Sequence, residues 1–142
     1  MNRLWTRSLA LSLAFTALPT LAGAAAGAEK GETRVFELRT YHAMPGKMEA
    51  LQARFRDHTC KLFEKHGMTI IGFWNPVDPQ SADAKLIYLL AFPSRDAARK
   101  SWSAFMQDPE WKQAREASEK GGRLVNRVES VFLNPTDYSP LK

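Results

Sequence analysis

Residues 68–92 read MTIIGFWNPVDPQSADAKLIYLLAF, and two runs in this stretch carry the fold. Met68–Trp74 and Leu86–Phe92 are strands by their β-branched and aromatic content. Between them, Asn75–Ala84 holds two prolines and polar residues, which makes it a loop. Both strands are apolar on both faces: Ile71, Phe73, Ile87 and Leu89 alternate with equally apolar neighbours. A strand of that kind has to be covered on each side. Going backwards, Gly67 closes a helix that opens near Lys47, after the Pro45-Gly46 turn. Its apolar residues are Met48, Leu51, Phe55, Leu62 and Phe63, with His58 and Thr59 in the gap. The steps 48, 51, 55, 58 and 62 follow one helix face, which predicts that His58 faces inward. Before the turn, Val35–Tyr41 alternates as a strand.

Going forwards, Ser94 is an N-cap residue and places Trp102, Phe105 and Met106 on the inner side of a second helix. Asp108-Pro109 restarts that helix, with Pro109 at a first-turn position that needs no N–H. Gly121-Gly122 ends it, and Leu124–Leu133 is a last strand followed by a short tail with two prolines. The order β-α-β-β-α-β is that of a ferredoxin-like α+β sandwich, an antiparallel sheet with helices on one face. The far face of the sheet is too apolar for solvent. With no further chain to cover it, a second copy is expected, giving a homodimer through the sheet face.

The chain has 142 residues, one cysteine and a formal charge of +5. That length holds one domain, and one cysteine excludes a disulfide scaffold. Residues 1–28 carry Arg3 and Arg7 but no acid, then the apolar run Ser8–Leu21 and a small-residue tail ending Ala26-Gly27-Ala28. These are the three parts of a secretory leader, and the run is short of a membrane span. Cleavage near Ala28-Glu29, with Ala22-Gly23-Ala24 as the alternative site and an uncleaved anchor as the other reading, predicts a periplasmic or secreted protein with no membrane attachment afterwards. The expected plan is a leader (1–28), a flexible segment (29–34), a domain (35–135) and a tail (136–142). Losing Arg3 and Arg7 takes the charge from +5 to +3. The remaining basic residues form no run, so nucleic acid is not an expected partner. Nucleotide loops, the serine-hydrolase elbow and the zincin motif are absent.

Several strings lie in an order that resembles the NIPSNAP family: Glu37-Leu38-Arg39-Thr40-Tyr41, Pro45-Gly46-Lys47, Phe55 with His58, Glu64-Lys65-His66-Gly67, Gly72-Phe73-Trp74 and Asp108-Pro109-Glu110-Trp111. The resemblance runs from about Val35 to Pro135 and implies a dimeric α+β barrel made of two ferredoxin-like sheets. It departs at Asn75–Ser81, where family members often carry a Gly/Asn hairpin. The resemblance implies no reaction. Fold relatives include haem-binding barrels and cofactor-free monooxygenases, and fold does not choose among them.

His58 has two readings: a ligand contact, general base or haem ligand, or a core histidine bonded to a carbonyl or to Tyr41 or Tyr88. Trp74, Tyr88 and Trp102 are expected to line the same cavity. Arg39 and Tyr41 join them as candidate ligand contacts, though Glu37 and Arg39 also suit a charge ladder with Arg127 and Glu129 of the last strand. His66 belongs to the helix terminus. His42 is expected to be exposed and without a partner. Cys60 sits on the polar face among Arg56, Asp57 and Glu64, and pairing between chains is its alternative to an incidental thiol. The three histidines lack metal-site spacing, so no metal is expected, and haem enters only through His58.

Three functions follow. The leading one is an exported dimer that binds a small, largely apolar molecule, with no cofactor. The second is a cofactor-independent monooxygenase or a haem-binding or haem-degrading enzyme, with His58 as base or ligand. The third is an interaction module whose pocket is filled by its own side chains.

Overall fold

Strand β1 (Val35–Ala43) leads through the Pro45-Gly46 turn into one helical rod of three parts: α1 (Met48–Arg54), a π-helical turn (Phe55–Thr59) and α2 (Cys60–Lys65). Gly67, at φ +73°, ends the rod in the left-handed region that a side chain would strain. Strands β2 (Thr69–Trp74) and β3 (Lys85–Phe92) follow, then helices α3 (Arg95–Gln107) and α4 (Pro109–Ser118), and finally β4 (Val125–Leu133). This computed structural model describes residues 34–77 and 84–142. The expected leader, nearly all of segment 29–34 and the centre of the 75–84 loop lie outside the described residues.

The sheet order is β2-β3-β1-β4, and every neighbouring pair is antiparallel. That is the ferredoxin-like arrangement expected from the element order. Both helix starts are capped as the sequence predicts. The Ser94 Oγ accepts from the Ala97 N–H at 3.1 Å, and the Asp108 carboxylate accepts from the Glu110 N–H at 2.8 Å. No helix among the described residues is long and apolar enough to cross a membrane.

The core lies between the helices and one sheet face. Phe63 is fully buried at its centre, with ring centroids 5.0 Å from Phe105 and 5.4 Å from Trp102. Truncating a phenylalanine buried like this to alanine costs about 3–5 kcal/mol.

Two single-residue insertions set which side chains reach that core. In the rod, the π turn adds a residue, so Thr59 follows Phe55 inward and His58 is exposed. The Thr59 hydroxyl donates to the Arg54 carbonyl at 3.2 Å inside this turn. In β2, a bulge between Ile70 and Gly72 puts Phe73 beside Tyr88 on the helix side. Trp74 therefore points to the far face and is 50% exposed. Gly72 leaves room for the Trp74 ring, which a Cβ at that position would approach to 2.8 Å and push aside. Met106 also departs from expectation: it lies one residue past Phe105, on the side of α3 turned from the core, and is exposed.

The far face carries Leu38, Ile87, Leu89, Val131 and Leu133, as their cross-strand pairing shows. Val131 is 53% exposed and Leu133 40%, so this apolar surface is only partly covered within one chain.

Candidate ligand-binding site

Glu37 and Arg39 are two residues apart on β1, so both point to the helix side. Ser130 is the cross-strand partner of Arg39, and Trp102 reaches down from α3. These four side chains meet at the Glu37 carboxylate. Oε1 accepts from Arg39 Nη1 at 2.8 Å and from the Ser130 hydroxyl at 2.6 Å; Oε2 accepts from the Trp102 indole at 2.6 Å. Glu37 is almost wholly buried, and the Arg39 guanidinium lies 4.3 Å from the Trp102 ring centroid. Burial by itself would lower the Arg39 pKa. Tyr88, Tyr41 and Glu37 together outweigh it, so the guanidinium is held above its ordinary value. The Tyr88 phenol is pushed well up, first by burial and then by Tyr41. It is a neutral phenol at any physiological pH.

Beyond this cluster a cleft of about 300 Å³ opens between β4, α1, α3 and α4. Arg39 and Tyr41 come from β1, Arg54 from α1, and Trp111, Arg115 and Glu119 from α4 and its C-cap. Met106, Arg123 and the start of β4, residues 125–128, complete the walls. Arg54 is buried, with its guanidinium 5.2 Å from the Trp111 ring centroid. Its Nη1 donates to Glu119 at 3.0 Å and to Ser118 at 3.3 Å. The Nε groups of Arg39 and Arg54 are buried and have no hydrogen-bond partner among the described residues. Such unused donors are rare inside proteins.

The NIPSNAP family model matches residues 36–140. The chain belongs to the NIPSNAP family. Solved structures agree in fold. A NIPSNAP family protein of unknown function from Agrobacterium tumefaciens superposes with a TM-score of 0.66 at 21% identity, over 79% of this chain and 96% of the other. An uncharacterised NIPSNAP-like domain protein from Burkholderia xenovorans gives 0.64 at 16% identity, over 77% and 90%. A monooxygenase from Streptomyces coelicolor, in complex with the ligand nanaomycin D, gives 0.51 at 14% identity, over 78% and 95%. No match was found among curated proteins.

Within this NIPSNAP domain, four of the side chains singled out from the sequence come together. Arg39 stacks on Trp102, and the Tyr41 and Tyr88 rings meet at 5.3 Å. Two others do not join them. Trp74 is on the opposite sheet face because of the bulge. His58 lies in an outer groove with Asp57, Lys61 and Glu110 because of the π turn, so it offers no axial ligand or base to the helix–sheet cleft.

The expected ladder is also corrected. Arg39 faces Ser130 across the strands, while Arg127 and Glu129 belong to the far face. His42 is there too, buried rather than exposed, with Nε2 3.0 Å from Glu129 and 3.1 Å from Arg127. His66 does close its helix, and its Nε2 also meets Asp108 at 2.7 Å, tying α2 to the start of α4. Cys60 is half-buried; burial and then Glu64 push its thiol pKa up. Among the described residues no three His, Cys, Asp or Glu side chains gather in a way that could hold a metal ion.

The sequence reading did not single out Arg54, Arg115, Arg123 or Glu119. Arg54 had one available signal: it stands three residues after Leu51 and next to Phe55, on the buried side of the helix.

Proposed function

We propose that this NIPSNAP protein is an exported homodimer that binds a small molecule in the cleft between β4 and the helices. One observation carries the reading. The cleft sets two guanidinium groups, the partly exposed Arg39 and the buried Arg54, beside the apolar surfaces of Trp111 and Met106 around open space. The volume, about 300 Å³, suits a ligand of one or two rings. Dimer formation is supported by the apolar far face, where Leu38, Leu89 and Val131 form a continuous row across three strands. Export is supported by the leader composition of residues 1–28.

The monooxygenase among the fold relatives supports the idea that this scaffold takes small ligands. An oxygenase reading that uses His58 as base has no geometric support, because His58 opens to the outer groove.

Native mass spectrometry of the protein purified from its own host tests the proposal. The expected spectrum shows a dimer of chains beginning near Glu29, with a retained mass released on denaturation. A monomer, or a chain with its leader intact, would overturn the corresponding part. A cleft that retains nothing and binds none of a panel of one- and two-ring compounds would overturn the binding reading.

A further inference from the structure

The charges lining the cleft are unequal. Arg39, Arg54, Arg115, Arg123 and Arg127 line it, against one carboxylate, Glu119. Glu37 neutralises Arg39 from behind at 2.8 Å. Glu119 is shared by Arg54 at 3.0 Å and Arg115 at 3.4 Å, so one carboxylate serves two guanidinium groups. Arg123 has no ion pair among the described residues, and Arg127 is engaged on the opposite face by Glu129 at 2.7 Å. The cleft therefore carries a cationic surplus in a partly desolvated setting, where charge interactions are stronger than in water.

The second observation is the spare bonding capacity of Arg54. This side chain is nine-tenths or more buried; Nη1 is occupied, Nε is enclosed, and Nη2 makes no hydrogen bond to a described residue. A guanidinium presents a planar fork that matches a carboxylate. The third observation is the apolar wall beside these charges. Tyr41, Met106 and Trp111 line the same cleft. A bare inorganic anion would leave them without contact.

We propose that the ligand is a small organic acid, a carboxylate carried on an aromatic or aliphatic body. The carboxylate sits among Arg54, Arg115 and Arg123, and the body packs on Trp111 and Met106. This rests on the binding reading above and adds the ligand's chemical class.

The test is calorimetric titration of the leaderless full domain with matched pairs: benzoate and benzamide, naphthalene-2-carboxylate and naphthalene-2-carboxamide. Tryptophan fluorescence follows the same titrations. The acid of at least one pair is expected to bind about ten- to a hundred-fold tighter than its amide, as charge-assisted bonds require. The advantage should shrink between low and high salt. Arg123→Gln, at an exposed position, should reduce it about ten-fold while the unfolding midpoint stays in place. Arg54→Lys keeps the charge but loses the fork, and should weaken the acid with little effect on the amide.

Equal binding of acid and amide would overturn this inference and leave the binding reading intact. A neutral molecule retained from the host would do the same. Inorganic phosphate competing as well as the aromatic acid would overturn the assignment of a carboxylate on an apolar body. Failure of every compound, acid and amide alike, would count against the binding reading itself.

Discussion

Replacing Glu37 with glutamine removes one charge and almost no volume, so its effect isolates the chemistry of the buried cluster. All three groups that meet the carboxylate are donors: Arg39 Nη1, the Ser130 hydroxyl and the Trp102 indole N–H. An indole N–H can only donate. The glutamine amide has one acceptor oxygen and one NH2, so in either orientation it sets a donor against a donor. The orientation that keeps Arg39 and Ser130 bonded leaves the Trp102 N–H facing an amide N–H, and the Arg39 charge loses its counter-ion. Because Arg39 is only 17% exposed, solvent compensates little. Breaking a buried pair from one side costs about 3–5 kcal/mol. For a domain of this size each kcal/mol moves the melting temperature by about 4–8 °C, so a drop of at least about 12 °C is expected. Urea unfolding at one fixed protein concentration, followed by tryptophan fluorescence, measures it; the fixed concentration keeps any dimer contribution constant. The double variant Glu37→Leu with Arg39→Met removes both charges together and should lose less than the sum of its two single variants, although the Ser130 hydroxyl and the Trp102 N–H still lose their acceptor. A Glu37→Gln loss below about 1 kcal/mol, or strictly additive single variants, would refute the reasoning.

Three further outcomes follow from the same geometry. His58→Ala should leave stability within about 0.5 kcal/mol and leave ligand affinity in the cleft unchanged, because the side chain is exposed; a larger loss in chemical denaturation would contradict the π-turn placement. Asp108 is held well below the usual carboxylate range by Lys65 and His66, so its stabilisation is complete above its unfolded value of about 3.9 and is lost as pH falls below it. Melting temperatures at pH 5 and pH 3 should therefore differ less in Asp108→Asn than in the parent, and parallel curves would oppose this. Cys60 should react with iodoacetamide more slowly at pH 8 than a free cysteine does. Glu64→Gln should speed it, and no change in rate would remove Glu64 as a cause.

The fold was legible because most of its elements carry their own signals. Ser94 and Asp108 cap helices that start where their side chains predict. The βαββαβ order leaves one common antiparallel arrangement, and the doubly apolar β3 sits in the sheet interior as its composition demands. The polar heart of the site was half legible. Arg39, Tyr41, Tyr88 and Trp102 are expected around one cavity; they pack together, but only Arg39 and Tyr41 line the cleft. Glu37 was read as one rung of a ladder, because its Trp102 partner lies 65 positions away and no spacing rule connects them. Arg115, Arg123 and Glu119 look like an ordinary solvated helix end until β4 folds beside them.

His58 and Trp74 were misplaced for a shared physical reason. Periodicity assigns faces by counting, and one extra residue reverses the faces of a strand and turns those of a helix by about 100°. The rod has a π turn over Phe55–Thr59, and β2 has a bulge before Gly72. The first insertion leaves no trace in the spacing: Phe55, Leu62 and Phe63 are all buried, and positions i, i+7 and i+8 share a face of a regular α-helix as well. The second insertion has one trace, the Gly72 between Ile71 and Phe73. The two insertions also answer each other in space. The Phe55 and Phe73 rings meet at 5.6 Å, each brought to the helix–sheet boundary by its own added residue. Removing either insertion alone would swing an exposed side chain, His58 or Trp74, into the core position of a buried neighbour. The faces of the rod and of β2 are therefore set jointly by tertiary packing, at a level that a count along one element does not reach.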